Sequence, residues 1–554
     1  MTADFFARHR ATLDAALDAI RRRGYWSPYS ESPKAYGETA VADGEAAFKA
    51  RLGKPFHLDQ PGSAGTVGNE MSPYGFALGI TYPKPDIDAL IAAAQAAMPA
   101  WRKAGVEGRV GVCLEILDRL NKRTAEMAFA VQHTTGQAYM MAFQAGGPHA
   151  QDRGLEAVTY AHEAMSAVPA HVQWEKPQGK NEPIRLEKTY RIMPRGVGVV
   201  IGCSTFPTWN GFPGLFASLA TGNPVIVKPH PGAILPLAIT VEIARQVLKE
   251  AGLPADVVTL AADSADAPIA KDLALRPEVG IIDFTGSSNF GTWLEQNARH
   301  AQVYTEKAGV NFVVIDSVAD LKGMLGNLAF SFSLYSGQMC TTPQNVFIPR
   351  GGIEAEGRHM TFDEVADAIG QAVDKFLGNP ERAVEVLGGI QSDATLRRLD
   401  EARGLGEVVL ESKALNHPRF AGARIRTPLI LKVDAADEAK YTAELFGPIV
   451  LLVAADSSDD ALRRATATAR RHGAITAAVY STDPKLLEDA EEACAEAGVA
   501  LSCNLTGNIY VNQSAAFSDF HATGANPAAN AALCDAAFVA NRFRVVQSRI
   551  PKAA

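Results

Sequence analysis

The chain has little cysteine, no long apolar run and no cluster of basic residues, and each absence excludes a class of protein. Its six cysteines (113, 203, 340, 494, 503, 534) fall at irregular intervals in 554 residues, with no C-x-x-C pair and no Cys/His grouping at zinc spacing. Neither a disulfide framework nor a metal site is expected, and reduced thiols point to the cytoplasm. No stretch approaches the roughly 20 apolar residues of a membrane span. The opening Met1-Thr2-Ala3-Asp4-Phe5-Phe6-Ala7-Arg8 lacks the apolar region of a signal peptide. With 53 Lys and Arg against 61 Asp and Glu, the net charge of −8 leaves no electrostatic footprint for nucleic acid or an anionic membrane surface. What remains is a chain with 47% hydrophobic residues, long enough to bury a large core in two or more domains without staples.

Hydrophobic periodicity divides the chain. Phe6, Leu13, Leu17 and Ile20 share one face of a helix that Gly24 is expected to stop, and a Pro/Ser/Gly-rich stretch follows to about Lys84. Ile87, Leu90, Ile91, Ala94, Met98 and Trp101 then mark a second helical face, with another helical pattern from Val112 to Met127. From Gly196 the signal changes to short β-branched runs between helical stretches: 196–201, 225–227, 257–260 and 280–284. That alternation predicts a mostly parallel sheet with helices on both faces and ligands at the carboxyl ends of its strands. A second α/β segment opens at Asn311-Phe312-Val313-Val314-Ile315-Asp316. The glycine fingerprint of dinucleotide sites is missing, because after Gly196-Val197-Gly198 the next glycine stands at 202 and not at 201.

Two side chains carry the chemistry. Cys340, in Ser336-Gly337-Gln338-Met339-Cys340-Thr341-Thr342-Pro343-Gln344, follows Glu306 by 34 residues (340 − 306). A thiolate can add to an aldehyde carbonyl at neutral pH, and a carboxylate can activate the water that releases the resulting thioester. A buried structural cysteine beside a surface glutamate is the plainer reading of the same residues.

Five motifs in order resemble the aldehyde dehydrogenase superfamily from about residue 85 almost to the end. They are Val227-Lys228-Pro229, the turn Phe284-Thr285-Gly286-Ser287-Ser288-Asn289-Phe290-Gly291, Glu306-Lys307-Ala308-Gly309, Gly337-Gln338-Met339-Cys340, and Glu444-Leu445-Phe446-Gly447-Pro448. Within it, Leu505-Thr506-Gly507-Asn508 and the run 511–521 resemble the phenylacetic acid degradation branch, PaaN. The resemblance implies an α/β fold: a Rossmann-type cofactor domain, an α/β catalytic domain and a strand oligomerisation arm. In this chain the division becomes an N-terminal extension (1–84), a dinucleotide-binding domain (85–308, with an arm strand near 184–194), a catalytic domain (309–515) and a C-terminal return with the arm (516–554). It implies a homodimer or dimer of dimers built on Arg185-Leu186-Glu187-Lys188-Thr189-Tyr190-Arg191-Ile192 and Arg542-Phe543-Arg544-Val545-Val546-Gln547-Ser548. It further implies Cys340 as nucleophile and Glu306 as base. Lys228 is expected on the adenosine ribose, Phe284, Gly286, Ser287 and Gly291 at the pyrophosphate turn, and Glu444 and Phe446 at the nicotinamide ribose and ring.

Two departures bear on function. Where many relatives have a glutamate that accepts from the ribose 2′-hydroxyl, this chain has Pro231, with His230 beside it. Losing a carboxylate there removes an obstacle to a 2′-phosphate, so NADP is expected over NAD. The second departure is the oxyanion donor. Trp209-Asn210 resembles the family's pair, yet it lies 12 residues before Gly222 (222 − 210), and the family's interval lands on Thr205, whose flanking Phe206-Pro207 agrees. Thr205 is taken as the donor, with Asn210 as the alternative through a shifted loop; a missing donor costs about 3 kcal/mol of barrier. The expected reaction is oxidation of an aldehyde, a CoA-linked semialdehyde by the PaaN likeness, to the acid. A CoA-acylating dehydrogenase and a cofactor-binding pseudoenzyme are the other readings.

Overall fold

The computed structural model describes residues 2–307 and 309–551; Ala308, where the sequence reading ends its second segment, lies outside the described residues. Two sheets position the site. In the first, Val197–Ile201 and Val225–Lys228 are buried at every position, as strands covered by helices on both faces must be. The order across it is Gln302–Glu306, Val279–Thr285, Val197–Ile201, Val225–Lys228, Val258–Leu260, and every pair is parallel. The chain moves outward from 197–201 through 225–228 to 258–260, then crosses to the other side with 279–285. Strand order therefore reverses between Ile201 and Thr285, and a crevice opens at their carboxyl ends.

The second sheet has seven strands in the order Glu407–Leu410, Leu429–Asp434, Ile449–Ala455, Asn345–Pro349, Phe312–Ile315, Thr476–Tyr480, Ala500–Cys503. Only the edge strand 407–410 runs antiparallel to its neighbour. The strand expected at 311–316 lies inside this sheet.

Residues 1–84, expected as an extension, are part of the main core. Phe5, Leu13, Phe48 and Tyr82 share one buried cluster with Val200 and Val225 of the first sheet and with Phe517 and Phe538 of the C-terminal return. The first helix, Thr2–Arg22, buries Phe6, Leu13 and Ile20, but it ends on Arg23, at φ +54°, and not on Gly24. The left-handed turn is uncommon for arginine. Its side chain holds it there: Nη1 donates to the Tyr160 hydroxyl at 3.0 Å and the guanidinium lies 3.8 Å from the Phe520 ring centre. In the helix Ile87–Lys103, Leu90, Ile91, Ala94 and Trp101 are buried as the spacing predicts, and Asp86 caps it by accepting from the Ala89 N–H at 3.1 Å. The pattern at 112–127 belongs to two helices, Gly105–Lys122 and Thr124–Thr135, separated at Arg123.

The two strands expected to form an arm pair with each other. Asn181–Pro194 lies between His171–Gln178 and Phe543–Pro551, antiparallel to both. Ile184, Val545, Val546 and Ile550 stay exposed on this ribbon. Its root is fixed by Arg542, fully buried and bidentate to Asp283 at 2.6 and 2.7 Å.

Candidate active site

Cys340 is presented by a turn that the sequence can form only with support. Tyr335, Ser336 and Gly337 have φ of +53°, +49° and +64°, three left-handed residues in a row. A Cβ on Gly337 would come within 2.3 Å of the Gly447 carbonyl oxygen, so only glycine fits there. The two non-glycine residues are held by bonds across the domain: the Tyr335 hydroxyl donates to Thr135 O, and the Ser336 hydroxyl to Leu387 O at 3.1 Å and Arg426 O at 3.0 Å. Backbone strain of this kind survives where surroundings over-determine it. The Asn311 amide donates to Cys340 O at 2.7 Å, fixing that carbonyl.

Glu306 ends the strand Gln302–Glu306 and meets Cys340 through a third residue that the sequence reading left without a role. His521 Nε2 lies 3.0 Å from Glu306 Oε1 and 3.7 Å from Cys340 Sγ. Reactive atoms of the three residues fall within 4.8 Å of one another, with His521 and Glu306 only 2% and 3% exposed. Nothing local in the sequence marks His521, which stands 181 residues from Cys340; the fold alone brings it in. The other Glu306 oxygen accepts from Asn210 Nδ2 at 3.0 Å, and Asn210 Oδ1 in turn accepts from the Cys203 thiol at 3.6 Å. Burial works to raise the Glu306 carboxyl, but His521 first, then bonds from Cys340 and Asn210, outweigh it, and the group is held below its ordinary value. Cys340 goes the other way: burial, then the Glu306 charge, push its thiol well up.

Thr205 and Asn210 both line the cavity that contains Cys340, yet neither is bonded to the sulfur. Asn210 is engaged with Glu306; the Thr205 hydroxyl bonds the Cys203 thiol, and its carbonyl accepts from Gln137 Nε2 at 2.8 Å.

The cavity, of about 550 Å³, runs from Cys340 to the end of the first sheet. Lys228, His230, Phe284, Gly286, Ser287, Glu444 and Phe446 all line it; Gly291 does not, because it packs under Lys307, whose Cγ a Cβ there would meet at 2.6 Å. Ser287 caps the helix Ser288–Asn297 by accepting from the Phe290 N–H, so the first amides of that helix face the cavity mouth. Lys228 Nζ sits 2.8 Å from Asp263 Oδ1, both side chains buried. The sequence, judged at position 231, offered no carboxylate near Lys228. The fold returns one from the loop after 258–260. His230 supplies no charge, since burial, then the Lys228 ammonium, push it down to about 4, and its Nδ1 accepts from the Gly232 N–H at 3.1 Å. Glu444, with the Gly309 N–H at 3.3 Å, is pushed by burial up to about 7. Among the described residues no helix is long and apolar enough to cross a membrane.

Comparison with known proteins agrees with this geometry. Residues 81–529 match the aldehyde dehydrogenase family. The N-succinylglutamate 5-semialdehyde dehydrogenase of Chromobacterium violaceum is 28% identical over 390 residues, 69% of this chain and 74% of that protein. The crystal structure of an NAD-dependent aldehyde dehydrogenase from Burkholderia multivorans matches at a TM-score of 0.98 and 62% identity over 99% of both chains. A 1-pyrroline-5-carboxylate dehydrogenase from Thermus with bound NAD shares the fold at a TM-score of 0.73 and 18% identity, covering 96% of this chain and 99% of that one. With a family match over most of its length and a solved relative 62% identical across 99% of both chains, the chain belongs to the aldehyde dehydrogenase family.

Proposed function

We propose that the chain oxidises an aldehyde to a carboxylic acid with a nicotinamide dinucleotide as partner. The observation that carries this is the meeting of Cys340, on its turn, with Glu306, at the end of a strand, where Cys340 lines a cavity that also holds Lys228 and the 284–287 turn. Cys340 Sγ forms a bond to the aldehyde carbon, giving a thiohemiacetal. The Cys340 N–H and the Thr205 hydroxyl, turned from its bond to the Cys203 thiol, hold the developing oxyanion, with Asn210 Nδ2, which donates to Glu306, as the alternative donor. The bound dinucleotide supplies the hydride acceptor. Glu306 then takes a proton from the water that attacks the Cys340 thioester; the C–S bond breaks and the sulfur leaves as thiolate.

The donor set suits such a ligand. The helix start at Ser287 offers amides to a pyrophosphate, and Asp263 has a buried oxygen, Oδ1, with no hydrogen-bond partner beyond its ion pair with Lys228, ready to accept from a hydroxyl. We take NAD as the preferred dinucleotide, against the expectation from Pro231, because a 2′-phosphate at Lys228 would face the Asp263 carboxylate and an uncharged His230. NADP remains the alternative that the assay below separates.

Glu306 favours release to water over transfer to coenzyme A, since an ionised base already stands at the thiol. The substrate is proposed to be a semialdehyde, in keeping with the names of the curated relatives. Assignment to phenylacetate breakdown and a CoA-linked substrate rests on the 505–521 segment alone. Phe206, which lines the cavity with Cys340, suits an aldehyde with an apolar portion. The exposed apolar residues of the arm ribbon support a homodimer or dimer of dimers, and the six free cysteines suit a cytoplasmic setting.

The test is stopped-flow formation of reduced dinucleotide from NAD and NADP with a panel of free and CoA-linked semialdehydes, without added coenzyme A. A burst followed by turnover is expected, with both lost in Cys340→Ala. Oxidation by Cys340→Ala at the wild-type rate, or no burst with any aldehyde while the dinucleotide binds, would sink the reading, the second outcome in favour of a binding role.

A further inference from the structure

His521 is not needed by the scheme above, yet it touches both groups that are. Its Nε2 faces Cys340 Sγ at 3.7 Å and Glu306 Oε1 at 3.0 Å, so a single N–H lies between a sulfur and a carboxylate. The ring is held in that orientation. Trp209 meets it edge-on, centroids 4.6 Å apart at 76°, and Trp209 is itself covered by the Arg153 guanidinium at 5.2 Å. The backbone of His521 exchanges two hydrogen bonds with Leu533, at 3.0 and 2.8 Å, which fixes the height of the ring over the turn.

We propose that His521 is a catalytic residue, whose Nε2–H turns from the Glu306 carboxylate to the Cys340 sulfur as the thiol proton moves from Cys340 to Glu306. This rests on Cys340 as nucleophile and Glu306 as base. In the resting site the thiol is neutral, Glu306 is ionised and the Nε2–H pairs with Glu306. To make the nucleophile, the S–H bond breaks and an O–H bond forms on Glu306; the His521 Nε2–H then donates to the thiolate. One negative charge is exchanged for another and the site's net charge is unchanged. That matters here because burial and the Glu306 charge both oppose an isolated thiolate. Once the thioester has formed, Glu306 passes to solvent the proton it took from the thiol, the one proton that oxidation of the aldehyde releases, and regains the His521 Nε2–H as partner, which leaves it ready to accept from water. When the thioester breaks, the departing thiolate is met by the same N–H. The other titratable groups facing Cys340 are Cys203 and Glu444, neither of them cationic. Both act to raise the thiol, whereas the N–H that faces the sulfur belongs to His521.

The test is the pH dependence of Cys340 alkylation by iodoacetamide in the full chain with NAD bound, read by peptide mapping so that the exposed Cys503 is not counted, alongside turnover. His521→Gln keeps a side-chain N–H, and His521→Ala removes it. Thiolate formation should move to higher pH in the order wild type, His521→Gln, His521→Ala. At neutral pH, alkylation of the alanine variant should be slower by about tenfold or more, since one pKa unit is tenfold, and kcat should fall with it. Superimposable alkylation profiles with unchanged kcat in either folded variant, judged by NAD binding, overturn the proposal. A shifted profile in a protein that oxidises none of the aldehydes would retain His521 and reject the oxidation reading instead.

Discussion

Two buried glutamates stand in the same crevice and behave in opposite ways. Glu306, at the sulfur end, is held below its ordinary value, and Glu444, on the cavity wall, is pushed up to about 7. Burial acts on both in the same direction. What differs is the company: Glu306 has an imidazole at 3.0 Å and the Asn210 amide at 3.0 Å, whereas Glu444 has one backbone N–H at 3.3 Å. The charge state of a carboxylate in this crevice is set by the donors that reach it and not by depth. A base must be ionised to accept a proton from water. A group that only accepts a hydrogen bond from a ligand hydroxyl can wait near neutrality until that ligand arrives.

The comparison is broken most directly at Glu306. In Glu306→Gln the amide should hold the shape of the site and lose the base, so acylation of Cys340 continues more slowly, with the thiol proton passing to solvent, while release by water stalls. A burst of reduced dinucleotide equal to the enzyme should persist, with steady-state turnover down by about 10²–10⁴. Removing the negative charge beside the sulfur should also speed alkylation of Cys340 near neutral pH, because that charge works to keep the thiol protonated. A variant with no burst at all would mean that no acceptor other than Glu306 can take the thiol proton before the thioester forms.

The effect at Glu444 is expected in stability. Its folded pKa of about 7 lies above the usual 4.5, so between those values the folded state binds a proton that the unfolded state has lost. Stability from this group is therefore present at low pH and declines as pH rises through 4.5 to about 7. The whole span corresponds to a ceiling on the order of 3 kcal/mol. Glu444→Gln, neutral at every pH, should remove that decline, and denaturant unfolding of the apoenzyme at pH 5 and pH 8 measures it. Equal pH slopes in variant and wild type would mean that Glu444 is not raised. For Glu306 the sign is reversed: its stabilisation is full above the unfolded carboxylate value and is lost as pH falls through its lowered folded pKa.

What the sequence made legible follows from how local each signal is. Strands at 196–201, 225–227, 257–260 and 280–284 were readable because a strand buried on both faces writes an uninterrupted β-branched run. Cys340, Glu306 and the 284–291 turn were readable because each sits in a short string whose residues act together. His521 and Asp263 were not, since each reaches the site from a loop whose position is fixed only by distant packing: His521 by Leu533 and Trp209, Asp263 by Lys228 and the Ile269 N–H at 3.1 Å. The stop of the first helix was misplaced for a related reason. Gly24 is the residue that chain statistics favour, but Tyr160 and Phe520 make the left-handed turn available to Arg23.

Asp263 adds a third carboxylate to the comparison, one whose partner is a full cation. Burial lowers the Lys228 ammonium and the Asp263 carboxylate beside it works to keep it charged. An NAD ribose can share this pair without disturbing it, because a hydroxyl can donate to Asp263 Oδ1 and accept from Lys228. A 2′-phosphate has to separate the pair or lie against the carboxylate. Asp263→Asn keeps an oxygen for the Ile269 N–H, removes the negative charge and frees the ammonium. The ratio of kcat/KM for NAD over NADP should exceed one in the wild type and fall about tenfold in the variant, equivalent to about 1.4 kcal/mol of discrimination. Because Cys340, Glu306 and His521 are untouched, kcat with saturating NAD should stay near the wild-type value. A ratio unmoved by the substitution would place the 2′-position away from Asp263 and leave the choice of dinucleotide to residues beyond the Lys228 pair.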